Sequence, residues 1–318
     1  MNITKLSTRH YRVRFMNEGK LYSKYYHYKP SLKEARKDLY AMIEQDKLGV
    51  SEKLNMCLDV YLKSKLNILS PATIRTYRRH IRAIPSELLN TRLNQINSIV
   101  LQKLINDYAL THEPKTTKAF FGFICSVIKN YCDIKIKVSL PPPIKKDIYI
   151  PTKENMIFIL EESKNTRYYI PLLLASYGLR FGEIRALTLN DISDGKVSIN
   201  KTIVYNENYK PVIKQPKTYE STRTINIPTF ITDLILKKKT IYNGSNIAIN
   251  RYLYKIQNKL NIPRFSIHKL RHFFATELHN RNVPSKYIQA MGGWATDNIL
   301  KTIYTHANKE LETINIFD

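Results

Sequence analysis

Glycine is scarce, with nine in 318 residues, and none falls in a GxxxxGK[ST] arrangement, so the chain has no P-loop for cradling phosphates. Cysteine is scarcer still: Cys57, Cys125 and Cys132 match no zinc spacing, and an odd number argues against a disulfide framework. Cys125 and Cys132 sit seven apart in an apolar helical stretch, which predicts both for a core. Carboxylates are few and nowhere cluster at metal-ligand spacing, so neither a metal site nor a cofactor is expected. No apolar run is long enough to span a bilayer, and no basic amphipathic stretch stands alone, which argues against a membrane partner. The N-terminal MNITKLSTRHYRVRF lacks the apolar core of a signal peptide, pointing to an intracellular, cytoplasmic protein. Repeats and low-complexity tracts are absent.

What the chain has in excess is positive charge. Lys and Arg number 51 against 26 Asp and Glu, a formal charge of +25. Residues 1–50 carry +6, 51–148 carry +9 and 149–318 carry +10, so every part of the molecule is basic. This exceeds what solubility asks for and implies a polyanionic partner, nucleic acid above all. Hydrophobic content of 43% and charged content of 24% are ordinary for a globular protein, and the length suffices for two or three domains.

Along the chain, His10 to Phe15 alternate, Asn17-Glu18-Gly19 turns, and Leu21 to Tyr28 continue. The pattern predicts a hairpin whose outer face is basic and aromatic, with Arg12 and Arg14 as candidate DNA contacts. Ser31 then caps a helix over Leu32 to Lys47 that Gly49 should stop. Residues 51–137 read as a helical bundle. Ser51 opens a helix with Leu54, Leu58, Tyr61 and Leu62 on one face, and Ser70-Pro71 starts another. In that second helix Ile74, Tyr77, Ile81 and Ile84 face inward. Arg75, Arg78, Arg79 and Arg82 recur at i, i+3, i+4 and i+7, and four arginines on one face repel unless an anion neutralises them. Apolar helices follow near Ile99–Leu110 and Thr117–Cys132. Pro141-Pro142-Pro143 then marks a semi-stiff linker over 138–150. From Pro151 the pattern is mixed: helices over 153–163, 167–176 and 181–188, a β segment over about 196–227, and four or five further helices.

Three short segments stand out in this last region. They are Gly178-Leu179-Arg180-Phe181-Gly182-Glu183-Ile184; His268-Lys269-Leu270-Arg271-His272, where i and i+3 put His268 and Arg271 on one face; and Met291-Gly292-Gly293-Trp294, followed by Tyr304-Thr305-His306. Their order and spacing resemble the boxes of the tyrosine recombinase family, the phage and conjugative-transposon integrase type. The first resembles GLRxxEL with Ile184 for the final Leu, the second HxLRH. The third resembles the LGH-to-YTH ending, with Trp294 where a second His is more common. Pro216 to Arg223 resembles the family's hairpin, with Lys217 as its lysine.

The resemblance covers the whole chain. It implies a multidomain, mainly α protein with small β elements: an arm-type DNA-binding sheet-plus-helix domain (1–50), a SAM-like core-binding bundle (51–137), the linker and a mixed α/β catalytic domain (151–318). It also implies the chemistry. Cleaving a phosphodiester without a metal needs cations in its stead, and Arg180 and Arg271 can each grip non-bridging oxygens through a bidentate fork. Tyr304 would be the nucleophile forming a 3′-phosphotyrosine, His268 its proton acceptor or a hydrogen-bonding partner of the phosphate, Lys217 the donor to the leaving 5′-oxygen, and Trp294 an indole N–H donor to the phosphate. Glu183 reads as a helix-positioning acid. Implied partners are double-stranded DNA with core-type and arm-type sites, a homotetramer on paired sites, and an accessory excision factor or host DNA-bending protein. A Xer-type resolvase, a type IB topoisomerase and a non-catalytic DNA-binding regulator are the alternatives. The apolar Leu311, Ile314, Ile316 and Phe317 would dock the tail either on its own domain or on a neighbouring protomer.

Overall fold

Alternation builds the first sheet. From β2 (His10–Asn17), Tyr11, Val13 and Phe15 point toward one face and Arg12 and Arg14 toward the other. In the computed structural model, β2 pairs antiparallel with both β1 (Asn2–Ser7) and β3 (Lys20–Tyr26), so the expected hairpin is a three-stranded sheet. The extra strand is an almost fully exposed edge, which needs no run of apolar residues and so leaves no hydrophobic signature. The structure describes residues 1–318 except 8–9, 18–19, 133–134, 145–148, 216–221, 295 and 297–318, and only the backbone of 20 and 44–51.

The sheet's inner face packs on α1 (Leu32–Ser51), where Ala35 and Leu39 meet Val13 and Tyr26. Asp38 of α1 accepts from Lys24 Nζ at 2.8 Å and from the Tyr26 hydroxyl at 2.9 Å, fixing the helix to β3. Ser31 caps α1, its hydroxyl accepting from the Glu34 N–H. Gly49 does not stop this helix. An interior glycine costs about 1 kcal/mol relative to alanine, too little to end a helix by itself. Ser51 therefore closes α1 instead of opening the next helix, and α2 (Leu54–Lys65) begins after Lys53.

Met1–Ile144 form one compact unit, so sheet, α1 and bundle belong together. The bundle comprises α2, α3 (Pro71–Arg82), α4 (Ser86–Leu89), α5 (Ser98–Ala109) and α6 (Pro114–Tyr131). Leu58, Leu93, Leu101, Phe120 and Ile124 are all but inaccessible at its centre. A ladder of rings crosses that core: Tyr108 on Phe120 at 4.0 Å, Phe120 on His80 at 5.5 Å, His80 on Phe123 at 5.9 Å and Phe123 on Tyr77 at 4.4 Å. The ladder anchors α3, leaving Arg78, Arg79 and Arg82 exposed and Arg75 half-buried on one side. Cys57 and Cys132 are buried as core residues, whereas Cys125 is only half-buried because its position falls at the edge of the apolar face of α6.

The bundle does not end at residue 137. Ile136, Val138 and Leu140 pack on its core, and Gln102 binds the backbone of Ser139 from both sides, Nε2 donating to its carbonyl and Oε1 accepting from its N–H. The first half of the expected linker is thus an extended strap on α5.

The second unit, Lys145–Asp318, has its own core around Leu172, Leu174, Ile184, Val197, Ile231, Leu253 and Leu270. Helices α7 (Lys153–Ser163), α8 (Tyr169–Ser176) and α9 (Phe181–Ala186) precede two small antiparallel sheets. One has the order β4 (Ile192–Ser193), β5 (Lys196–Ile199), β8 (Arg223–Asn226); the other is the ribbon β6 (Thr202–Tyr205), β7 (Pro211–Lys214). Helices α10 (Thr229–Lys238), α11 (Asn246–Lys259), α12 (Lys269–Asn280) and α13 (Ser285–Gly292) follow. The fold is mainly helical with small β elements, as expected. No helix among the described residues is long and apolar enough to cross a membrane.

His80 is 2% exposed, and burial, then the charges of Arg79 and His112, push its pKa below the ordinary 6.5. The fold therefore favours neutral His80, and its contribution to stability is present above pH 6.5 and lost as pH falls toward the folded-state value. Thermal melts should show a chain less stable at pH 5 than at pH 7, with a shallower pH dependence in His80→Phe.

Candidate active site

Two helix ends build the site. Helix α8 closes in a Schellman motif: Gly178, at φ 89°, donates to the Ala175 carbonyl at 3.0 Å and Leu179 donates to Leu174 at 3.2 Å. This reversal sets Arg180 at the N-cap of α9, where its backbone N–H donates to the Glu183 carboxylate at 2.8 Å. Helix α13 closes the same way. Gly293, at φ 64°, donates to Ala290 at 3.1 Å and Trp294 donates to Gln289 at 3.0 Å.

The carbonyls that this second motif leaves over are taken by guanidiniums. Arg223 Nε donates to the Met291 carbonyl at 2.8 Å, Arg271 Nη2 to the Gly292 carbonyl at 2.8 Å, and Arg180 Nη2 to the Gly293 carbonyl. Three successive carbonyls at the negative end of a helix thus hold three arginines from three other elements. Arg271 also donates through Nη1 to the Gly178 carbonyl, joining the two helix ends.

Arg271 is 3% exposed, and among the described residues no carboxylate pairs with it. Burial, then the neighbouring Arg180 charge, push its pKa down to about 9, so it stays cationic at neutral pH while strongly favouring an anion nearby. The indole of Trp294 lies 4.5 Å from the Arg271 guanidinium and is itself buried against Phe274 and Ile288. Arg271 thus rests on the face of the residue whose indole N–H is the expected donor to the phosphate. Arg180, 35% exposed, is the accessible cation of the pair.

Glu183 is buried at the hub. It accepts from Arg180 Nη1 at 2.6 Å and is gripped from the other side by Arg223, Nη1 at 3.1 Å and Nη2 at 2.9 Å. Burial opposes its charge, but the Arg223 hydrogen bond and the charges of Arg223 and Arg180 outweigh it and hold the carboxyl below the usual range. This fits the reading of Glu183 as a positioning acid.

His268 reaches the site because the loop before it is pinned by side-chain amides. Gln257 Nε2 donates to the Phe265 carbonyl at 3.0 Å, and Asn250 accepts from the Ile267 N–H at 2.8 Å. His268 opens to solvent one turn before Arg271. The protein crowded around it, then Arg271, Lys269 and Arg180, lower its pKa and keep the ring neutral and able to accept a proton. His272, at 5.6 Å ring to ring, is lowered further, to about 4, by burial first and then by Lys269.

Of the six residues expected to be catalytic, the structure brings Arg180, His268, Arg271 and Trp294 together. Lys217 and Tyr304 lie outside the described residues, as does the C-terminal tail. Sequence reasoning passed over Arg223, whose place at the end of the segment chosen for its lysine was the available signal.

Comparison with known proteins agrees. Residues 152–310 match the phage integrase family, and residues 53–109 match its N-terminal SAM-like domain. The chain belongs to the phage integrase family and is a tyrosine recombinase, a DNA strand-transferase. It is 28% identical over 305 residues to a XerC-like tyrosine recombinase of Caldanaerobacter subterraneus subsp. tengcongensis, covering 77% of this chain and 78% of that protein. It is 24% identical over 292 residues to tyrosine recombinase XerD of Rickettsia bellii, covering 81% and 93%. Its fold is similar to that of the Tn1549 transposon integrase bound to circular intermediate DNA, with TM-score 0.66, 15% identity and coverage of 80% and 95%. It is also similar to a lambda integrase tetramer bound to a Holliday junction, with TM-score 0.60, 16% identity and coverage of 99% and 98%.

A Cβ at Gly292 would stand 1.9 Å from the Trp294 ring. Gly292→Ala should therefore push the indole off Arg271, lowering stability by roughly 1–3 kcal/mol as an overpacked core does. Denaturant titration measures this, and single-turnover DNA cleavage should fall with it.

Proposed function

We propose that this recombinase is the integrase of a mobile element or prophage, working in the cytoplasm on double-stranded DNA through Tyr304. The observation that carries the reading is the convergence of Arg180 and Arg271 beside a neutral His268, an excess of fixed positive charge in want of an anion. In this scheme the Tyr304 phenolic oxygen attacks the scissile phosphorus and passes its proton to His268. The bond from phosphorus to the 5′-oxygen breaks, and Lys217 protonates that oxygen. The two guanidiniums neutralise the charge gathering on the non-bridging oxygens. Religation reverses these steps with another strand's 5′-hydroxyl.

The Arg75, Arg78, Arg79 and Arg82 face of α3 would follow the backbone of a core-type site, and the outer face of the β1–β3 sheet would lie in an arm-type site. A similarity that spans 99% of the chain and 98% of lambda integrase supports a layout with this N-terminal module. The assembly would be a tetramer on paired sites, with excision assisted by an accessory or DNA-bending protein. A Xer-type resolvase is the second reading, favoured by the names of the relatives; a chain that needs no arm-type site for full activity would support it.

Tyr304→Phe should bind a core-site duplex with near-native affinity and form no covalent adduct on a nicked suicide substrate. Arg271→Ala should keep binding but lose roughly 3–4 kcal/mol of transition-state stabilisation, read from single-turnover rates in the presence of EDTA. An adduct formed by Tyr304→Phe would refute the assignment.

Arg12→Ala combined with Arg14→Ala should leave core-site cleavage intact. It should weaken arm-site binding and reduce the slope of log affinity against log salt by about 2, one for each phosphate contact removed. Gel-shift titrations over a salt series measure it.

A further inference from the structure

We propose that Arg223 is a positioning residue for strand transfer, fixing the attitude of Arg180 through Glu183. The proposal rests on the strand-transfer reading above and adds a residue to it. Arg223 stands at the start of β8, and its side chain is 7% exposed, so it does not offer itself to DNA. Every nitrogen of its guanidinium is used: Nη1 and Nη2 grip the Glu183 carboxylate as a fork, and Nε holds the Met291 carbonyl. Glu183 in turn accepts from both the backbone N–H and Nη1 of Arg180. The Arg180 side chain is thereby clamped at two points, by this carboxylate and by the Gly293 carbonyl, and Arg223 touches the supports of both.

The geometry explains why an arginine is needed. Glu183 is buried, and Arg180 alone would leave one of its oxygens with a single backbone donor. Without Arg223 the carboxylate would draw the Arg180 guanidinium fully onto itself, since a buried carboxylate satisfies its second oxygen from whatever donor is near. Arg180 would then be a neutralised ion-pair partner and no longer a cation aimed at a phosphate. By saturating Glu183 from the opposite side, Arg223 leaves Arg180 with charge to spare. A lysine could supply the charge but neither the fork nor the third hydrogen bond in the same plane.

The test compares full-length native protein, Arg223→Met and Arg223→Lys on two suicide duplexes. One carries the natural scissile diester. The other carries a methylphosphonate there, in which methyl replaces a non-bridging oxygen and removes the negative charge that Arg180 would neutralise. Arg223→Met should form adduct on the diester on the order of 100-fold more slowly than native, the usual cost of a catalytic group misplaced by about an ångström. Most of that loss should vanish on the methylphosphonate, and binding to both duplexes should stay native. Arg223→Lys should fall between the two, and adding Arg223→Met to Arg180→Ala should cost nothing further. Native cleavage rates in Arg223→Met would overturn the proposal. So would an equal loss on both duplexes, which marks a purely structural role. If Arg223→Met fails to fold, the same comparison with Arg223→Lys decides. Failure of the native protein to form adduct on the diester would instead strike at the strand-transfer reading itself.

Discussion

The second unit of this protein depends on how one helix ends. Helix α13 stops in a left-handed glycine, and its last unpaired carbonyls, Met291, Gly292 and Gly293, receive Arg223, Arg271 and Arg180 in that order. Like charges brought this close repel; among the described residues the carbonyls at two helix ends, the face of Trp294 and the carboxylate of Glu183 oppose that repulsion. The balance favours an incoming anion. On the proposed strand-transfer reading a phosphate would relieve the electrostatics that are unfavourable in the free protein, so affinity and catalysis would share one source.

The arginine-bearing surfaces of the first unit rest on a different principle. There the arginines of α3 stand on a core of stacked rings, and the helix is held by Ile74, Tyr77 and His80 on its other side. The two stripes differ: one packs into the core, and the other leaves Arg78, Arg79 and Arg82 exposed. Arg12 and Arg14 repeat the arrangement on a strand, with Val13 buried beneath them.

Much of this was legible in the sequence. The spacing of Gly178-Leu179-Arg180, His268 to His272 and Met291 to Trp294 named residues that the fold does bring together. Helices α3, α5, α6 and α7 lie where their apolar spacing predicts them. What escaped was tertiary. Arg223 gains its importance only from Glu183, forty residues earlier, and from Met291, sixty-eight later. The guanidinium of Arg271 rests on the face of Trp294, twenty-three residues later, a contact that no local pattern encodes. The strap after α6 does carry a local pattern, since Ile136, Val138 and Leu140 alternate as a half-buried strand does, although three prolines follow as in a linker. Gly49 lies inside α1 because a single interior glycine costs too little to end a helix.

The chain contains a single tryptophan, and it is the one that Arg271 lies on. Red-edge excitation of the whole protein therefore excites one indole, at the centre of the site, against a background of 22 tyrosines that this light does not reach. A cation over an indole face alters its emission, so any event that draws Arg271 toward a phosphate changes the signal of the entire molecule. On the strand-transfer reading, unlabelled protein would carry its own optical gauge of site occupancy, timing the arrival of DNA at Arg271 separately from its arrival at the surface.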